Sequence, residues 1–211
     1  MCSHYQGIQG RERFERHFGI GLPEDAGQAD VWPGYRAVFV RNTPAGAAPI
    51  ARRLQALTGL FGLVPHWSTD LRITRSTYNA RSETASEKPS FRDAWRRGQH
   101  CIIPAEALFE PDWRSGRAVA ARIGSADGAP LGVAGLWSCW RAQEQEIFSF
   151  TMLTVNADHH PVMREMHKPG DEKRMVVVVA PALYAHWLSL PARESLGFLQ
   201  SQPSAALAQL A

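Results

Sequence analysis

The stretch Leu131-Gly132-Val133-Ala134-Gly135-Leu136-Trp137, together with Ile147-Phe148-Ser149-Phe150-Thr151-Met152-Leu153-Thr154-Val155 further along, decides the fold class. Both runs are rich in β-branched and aromatic residues and read as strands. Similar runs at residues 36–41, 59–64, 101–103, 119–123 and 175–179 add more strands. Helices are few. Phe14 and Phe18 stand four apart and share one side of a short helix over 11–18. Ser90 and Asp93 form a capping-box-like pair ahead of Trp95, with Gly98 as the stop, and Pro181 opens a short helix over 181–188. The expected fold is α+β: a single β-rich domain with a curved, barrel-like mixed sheet and a few short helices. The domain is expected to span residues 1–200, with 201–211 as a loosely held tail.

Composition bounds the rest. A chain of 211 residues suits one core, and 45% hydrophobic residues with seven Trp and nine Phe exclude intrinsic disorder. A formal charge of +3 is too mild to identify a polyanion partner. Three widely spaced cysteines, Cys2, Cys101 and Cys139, exclude a disulfide framework and a C-x-x-C metal pair, which fits a reducing compartment. There is no apolar run long enough to span a membrane, and Met-Cys-Ser-His-Tyr-Gln lacks the pattern of a secretory leader. The expectation is a cytoplasmic monomer without membrane contact, metal or cofactor. Adjacent His159 and His160 point in different directions on most backbones, and no Cys or carboxylate stands at a metal-finger spacing from them.

Four segments could carry chemistry. Removal of Met1 would leave Cys2 with an α-amine and a thiol on one carbon frame, and both attack aldehydes near neutral pH. The product would be a five-membered thiazolidine. Phe61-Gly62-Leu63-Val64-Pro65-His66-Trp67 offers an aromatic at a rigid turn, suited to stacking or wedging bases. Asn79-Ala80-Arg81-Ser82-Glu83-Thr84 packs an amide, a guanidinium, a carboxylate and hydroxyls together. Glu110 closes the largely apolar run 101–110, where a carboxylate titrates high enough for acid–base work. Each segment alone also fits a plain structural role: a frayed terminus, a core turn, a turn with a salt bridge, a solvated loop glutamate.

In their order and spacing, these segments together with Ile103-Pro104-Ala105, Phe109-Glu110, Ala134-Gly135-Leu136-Trp137 and His167 with Arg174-Met175 resemble the SOS-response-associated peptidase (SRAP) family along nearly the whole chain. The resemblance implies a sensor of abasic sites in single-stranded DNA that cross-links through Cys2. Cys2, Asn79, Glu110 and His167 match the catalytic positions. Asn79 would position the N-terminal residue and the sugar, Glu110 would shuttle protons, and His167 would bind the sugar hydroxyl and assist ring opening. Arg81, Trp67, Arg174 and Thr154 would contact DNA, with Pro44 as the counterpart of Trp67 across the groove. The chain departs from the family pattern in three places. Ser3-His4 stands where Gly-Arg is common, Phe109 and Pro111-Asp112 surround Glu110, and residues 168–173 lengthen the His-to-Arg spacing, so that Arg174 or Lys168 makes the nearby phosphate contact. The family name also implies removal of Met1 by the protein itself, and an imine at Cys2 implies lyase-like strand cleavage. Two rival readings are a cysteine or N-terminal-nucleophile peptidase, which would cleave peptides without preference for DNA, and a non-covalent single-strand-binding module, which would tolerate loss of Cys2.

Overall fold

The structure, a computed structural model, describes residues 2–43, 54–142, 145–202 and 207–210. In chain order its strands are β1 (His4–Gln6), β2 (Asp30–Val31), β3 (Arg36–Asn42), β4 (Leu54–Phe61), β5 (Asn79–Arg81), β6 (His100–Ala105), β7 (Ala107–Asp112), β8 (Val119–Ser125), β9 (Leu131–Ala142), β10 (Gln145–Asn156), β11 (Arg174–Val176) and β12 (Leu207–Gln209). The α-helices are α1 (Arg11–Phe18), α2 (Arg92–Arg96), α3 (Tyr184–Ser189) and α4 (Ser195–Ser201), and none is long and apolar enough to cross a membrane among the described residues.

Strands β10, β4, β3, β6 and β9 are hydrogen-bonded in that order, and pairing of β9 back onto β10 closes them into a five-stranded barrel. The β10–β4 pair is parallel and the other four are antiparallel, so the barrel is mixed. β3, β6 and the inner parts of β9 and β10 read as apolar runs because both their faces are covered. Ala37, Phe39, Cys101, Ile103, Leu131, Val133, Phe150 and Met152 pack in one cluster. Their neighbours Val38, Val40, Ile102, Ala134, Leu136 and Leu153 pack in a second cluster with Phe14, Phe18, Trp95, Trp187 and Leu199 from all four helices. The two-residue period of a strand thus sorts one sequence into a barrel interior and an outer, helix-covered layer. Phe14 and Phe18 meet as the sequence requires, ring centroids 4.9 Å apart.

A second sheet, in the order β12-β8-β7-β1-β2, carries Tyr5, Val31, Leu108, Ala121 and Ile123 into the interior cluster. Tyr5 meets Phe61 of β4 edge-on at 5.2 Å. Within the stretch read as a tail, Leu207–Gln209 forms β12 against Ile123–Ser125 of β8. The capping expectation at Ser90 is corrected: α2 begins at Arg92 with Phe91 at its cap and no side-chain cap bond. Gly98 does stop the helix, in the left-handed region at φ 60°.

Candidate active site

β1 runs between β2 and β7, with His4 opposite Phe109 and Tyr5 opposite Leu108. This pairing places Cys2 beside the outer end of β7, where Glu110 stands. Strand alternation turns Leu108 and Glu110 inward, and Glu110 is only 1% exposed. Cys2 is equally buried, and its thiol donates to the His4 carbonyl at 3.2 Å and lies within hydrogen-bonding reach of the Glu110 carboxylate. Burial pushes the thiol well above its ordinary range, and the negative charge of Glu110 pushes it the same way. Burial also lifts Glu110 from 4.5 to about 7. The carboxyl can therefore both give and take a proton at neutral pH.

Asn79 arrives from the barrel side. β5 lies parallel to β10, with Asn79 opposite Met152 and Arg81 opposite Thr154. The Asn79 amide reaches across to donate to the Cys2 carbonyl at 2.7 Å.

His167 comes from the loop between β10 and β11. Its backbone is left-handed at φ 65°, which costs about 1–3 kcal/mol for a residue with a Cβ. The surroundings hold it there. Its N–H donates to the Pro111 carbonyl at 2.7 Å, tying it to the residue after Glu110, and Met166 bridges Asp112. The Lys173 ammonium donates to three successive carbonyls, those of Met166, His167 and Lys168, at 2.8, 3.0 and 3.1 Å. The ring places Nε2 3.1 Å from the Arg174 carbonyl and 3.5 Å from Glu110 Oε2. A carbonyl only accepts, so Nε2 carries the hydrogen. Burial lowers the imidazole below its ordinary value, so at neutral pH its approach to Glu110 is one of uncharged imidazole to carboxyl.

Four residues read from separate segments, Cys2, Asn79, Glu110 and His167, thus meet in one place. Those matched to DNA contacts are disposed differently. The Arg174 side chain is buried and donates to both oxygens of Glu83 at 3.0 and 2.8 Å, to Glu172 at 3.0 Å, and to the carbonyl and hydroxyl of Thr154 at 2.7 and 3.1 Å. Arg174 and Thr154 therefore form an inward bracket that joins β10, β11 and the turn after β5. Arg81 is half exposed and pairs with Glu172 at 2.8 Å. Trp67 is 48% exposed on the turn after β4, its indole donating to the Pro89 carbonyl at 3.3 Å. That turn needs Gly62: its φ is 117°, and a Cβ there would collide with the backbone of Thr74. Lys168 is exposed, and Pro44 lies outside the described residues.

Sequence reasoning missed Lys173. Its signal was the added stretch itself, since a longer loop needs something to close it. Among the described residues no group of three or more His, Cys, Asp or Glu side chains could hold a metal ion.

Barrel, flanking sheet and a cluster of buried Cys2, Glu110 and His167 with half-buried Asn79 together define a β-rich protein that holds its second residue against a buried carboxyl. The chain belongs to the SOS response associated peptidase (SRAP) family, whose model matches residues 1–210. It is 32% identical over 145 residues to abasic site processing protein YoaM of Bacillus subtilis strain 168, a match covering 67% of this chain and 59% of that one. The abasic site processing protein HMCES of Pongo abelii is 26% identical over 130 residues, covering 46% and 36%. The matches thus span about three fifths or less of these relatives' own length. Among solved structures, a protein from Bordetella bronchiseptica superposes with a TM-score of 0.85 at 43% identity, covering 98% of this chain and 97% of the other. One from Bacteroides thetaiotaomicron, at 20% identity and a TM-score of 0.75, shares the fold.

Proposed function

We propose that this chain captures abasic sites in single-stranded DNA by covalent attachment at Cys2. The observation that carries the reading is the convergence on Cys2: the Asn79 amide on its carbonyl at 2.7 Å, and a buried Glu110 carboxyl within reach of its thiol. The relatives named for abasic site processing supply the substrate class.

The chemistry balances without an oxidant or a cofactor. With Met1 removed, the Cys2 amine adds to the C1′ aldehyde of the opened deoxyribose to give a carbinolamine. Protonated Glu110 donates to the carbinolamine hydroxyl, which leaves as water, and an iminium forms. Glu110 is now a carboxylate. It takes the proton of the Cys2 thiol as sulfur bonds to C1′, closing the thiazolidine and restoring the acid. Amine, thiol and aldehyde become thiazolidine and one water. A thiol whose burial favours the protonated form needs such a base, and a carboxyl near pH 7 serves both steps. Ring closure moves atoms already on one residue, so its effective concentration is high. Asn79 fixes the Cys2 backbone during both additions. His167, held by Lys173 and the Arg174 carbonyl, hydrogen-bonds the sugar hydroxyl and assists ring opening. Met1 removal by the same site, and strand cleavage by β-elimination when ring closure fails, are side reactions of the same groups.

Incubation with a single-stranded oligonucleotide bearing one abasic site tests this. The wild-type protein should give an adduct that survives heat and denaturant without added reductant. Cys2→Ser should need borohydride trapping. A chain carrying a non-removable residue ahead of Cys2 should form none, because its amine has become an amide. Cross-linking of that extended chain at the normal rate would show the thiazolidine route to be wrong.

A further inference from the structure

The outer face of the second sheet carries a stack of rings that the four-residue site does not use. His4 lies between Trp32 and Phe109, with centroids 4.1 Å away on each side and planes within 9° and 10° of parallel. Its Nε2 meets the Asp30 carboxylate at 2.9 Å. Both faces of the imidazole are thus covered and one nitrogen is engaged, so position 4 offers little to a phosphate. The end of the stack is open: Trp32 is 42% exposed although one of its faces rests on His4.

The stack is rigid and well placed. Trp32 begins a turn in which the Tyr35 N–H donates to the Trp32 carbonyl at 2.9 Å. The Gly34 N–H donates to the Phe61 carbonyl at 2.6 Å and the Phe61 N–H to the Tyr35 carbonyl at 2.8 Å. Phe61 directly precedes the Gly62-to-Trp67 turn, so the exposed Trp32 and Trp67 project from two turns joined at one strand end. His4 is two residues from Cys2, no more than about 7 Å along an extended chain, so the stack and Cys2 lie within reach of one short stretch of single strand.

We infer that Trp32, backed by His4 and Phe109, is a stacking site for the unpaired nucleobase next to the abasic nucleotide. An abasic nucleotide leaves its neighbour with one uncovered face, and a preorganised ring of the same shape covers it with little ordering cost. The occupant is a base rather than a phosphate because the exposed surface is a flat, uncharged ring and the Asp30 carboxylate stands at the His4 behind it. The inference rests on the single-stranded DNA reading above.

The test uses oligonucleotides in which a tetrahydrofuran residue replaces the abasic sugar, so that no aldehyde is present and binding is separated from capture. The nucleotide on each side is in turn adenosine, thymidine or a second tetrahydrofuran, and binding is followed by fluorescence anisotropy. Removing the base on the contacted side should weaken wild-type binding about tenfold, the scale of base–aromatic stacking. Trp32→Ala should bind about tenfold more weakly and be indifferent to that base, whereas Trp32→Phe should keep most of the dependence. Trp32→Ala with the wild-type dependence, or a wild-type protein indifferent to both neighbours, overturns the inference. So does a wild-type self-association that Trp32→Ala abolishes, which would assign the ring to a second copy. Failure of this test with normal cross-linking leaves the Cys2 reading standing, and failure of both removes the DNA reading itself.

Discussion

Replacing Glu110 by Gln removes one titrating group from the interior while keeping its shape, and the consequence for stability can be worked out. In the folded protein the carboxyl titrates at about 7 rather than 4.5, because burial penalises its charge. A raised pKa means that the folded state holds a proton which the unfolded chain has released. Stability from this group is therefore fully present below pH 4.5 and is lost as pH rises through 7. The slope is about 1.4 kcal/mol per pH unit between the two values, so the loss from pH 5 to pH 8 comes to about 2.5 kcal/mol. The uncharged amide of the variant has no such loss. Urea melts of both proteins at pH 5 and pH 8 should show wild type losing about 2.5 kcal/mol relative to Glu110→Gln, or roughly 5–10 °C in Tm for a chain of this size. Adduct formation by the variant at pH 7 should be at least tenfold slower, since the single group that gives and takes protons is gone. Stability differences that stay constant from pH 5 to pH 8 would refute the burial argument, and with it the assignment of Glu110 as the shuttle.

Two further outcomes follow from the geometry. Arg174→Met should destabilise the fold by about 1–2 kcal/mol, because buried Thr154 loses two bonds while Glu83, over a third exposed, loses a partner that water partly replaces; unchanged denaturant midpoints would contradict the bracket. Capture should be faster in single strands or at single-to-double-strand junctions than within a continuous duplex, because exposed Trp67 can enter a strand only where neighbouring bases are unstacked, and equal rates on matched oligonucleotides would count against it.

The sequence made most of the barrel legible because β3, β6 and the inner parts of β9 and β10 are covered on both faces and read as apolar runs. Residues 36–41, 131–137 and 147–155 fall inside β3, β9 and β10, and only the ends were short. β9 and β10 extend through Ser138–Ala142 and Gln145–Glu146, where partnership across the hairpin sustains polar residues in a strand. The strands that were not seen are four short ones and the six-residue β7, which follows β6 after a single residue inside one apolar run, and β4 spans 54–61 where 59–64 was expected. His4–Gln6, Asp30–Val31 and Asn79–Arg81 are held by non-local neighbours, and two or three residues carry too little periodicity to show it. The candidate site was legible through residue identity more than pattern: Cys2, Asn79 and Glu110 stood out in their own segments, and His167 entered through the family resemblance. What no local segment could reveal was the left-handed backbone of His167 or the inward turn of Arg174, since both are set by partners far away in the chain.

The separation between partners also says when the surroundings of Cys2 come into being. Cys2 leaves the ribosome early, yet the amide that clasps it belongs to a residue 77 positions on, and β1 waits for β7 before it has two neighbours. Contacts of such sequence separation form late, after long loops have closed. Until those loops close, Cys2 belongs to an ordinary, solvated end of chain. Its buried thiol, its carboxyl partner and its oriented carbonyl are all acquired in the final folding steps. On the chemistry proposed above, the assistance given to Cys2 is in this sense a property of the completed tertiary structure, and a chain truncated before residue 79 would lack both the Asn79 amide and the Glu110 carboxyl that meet it.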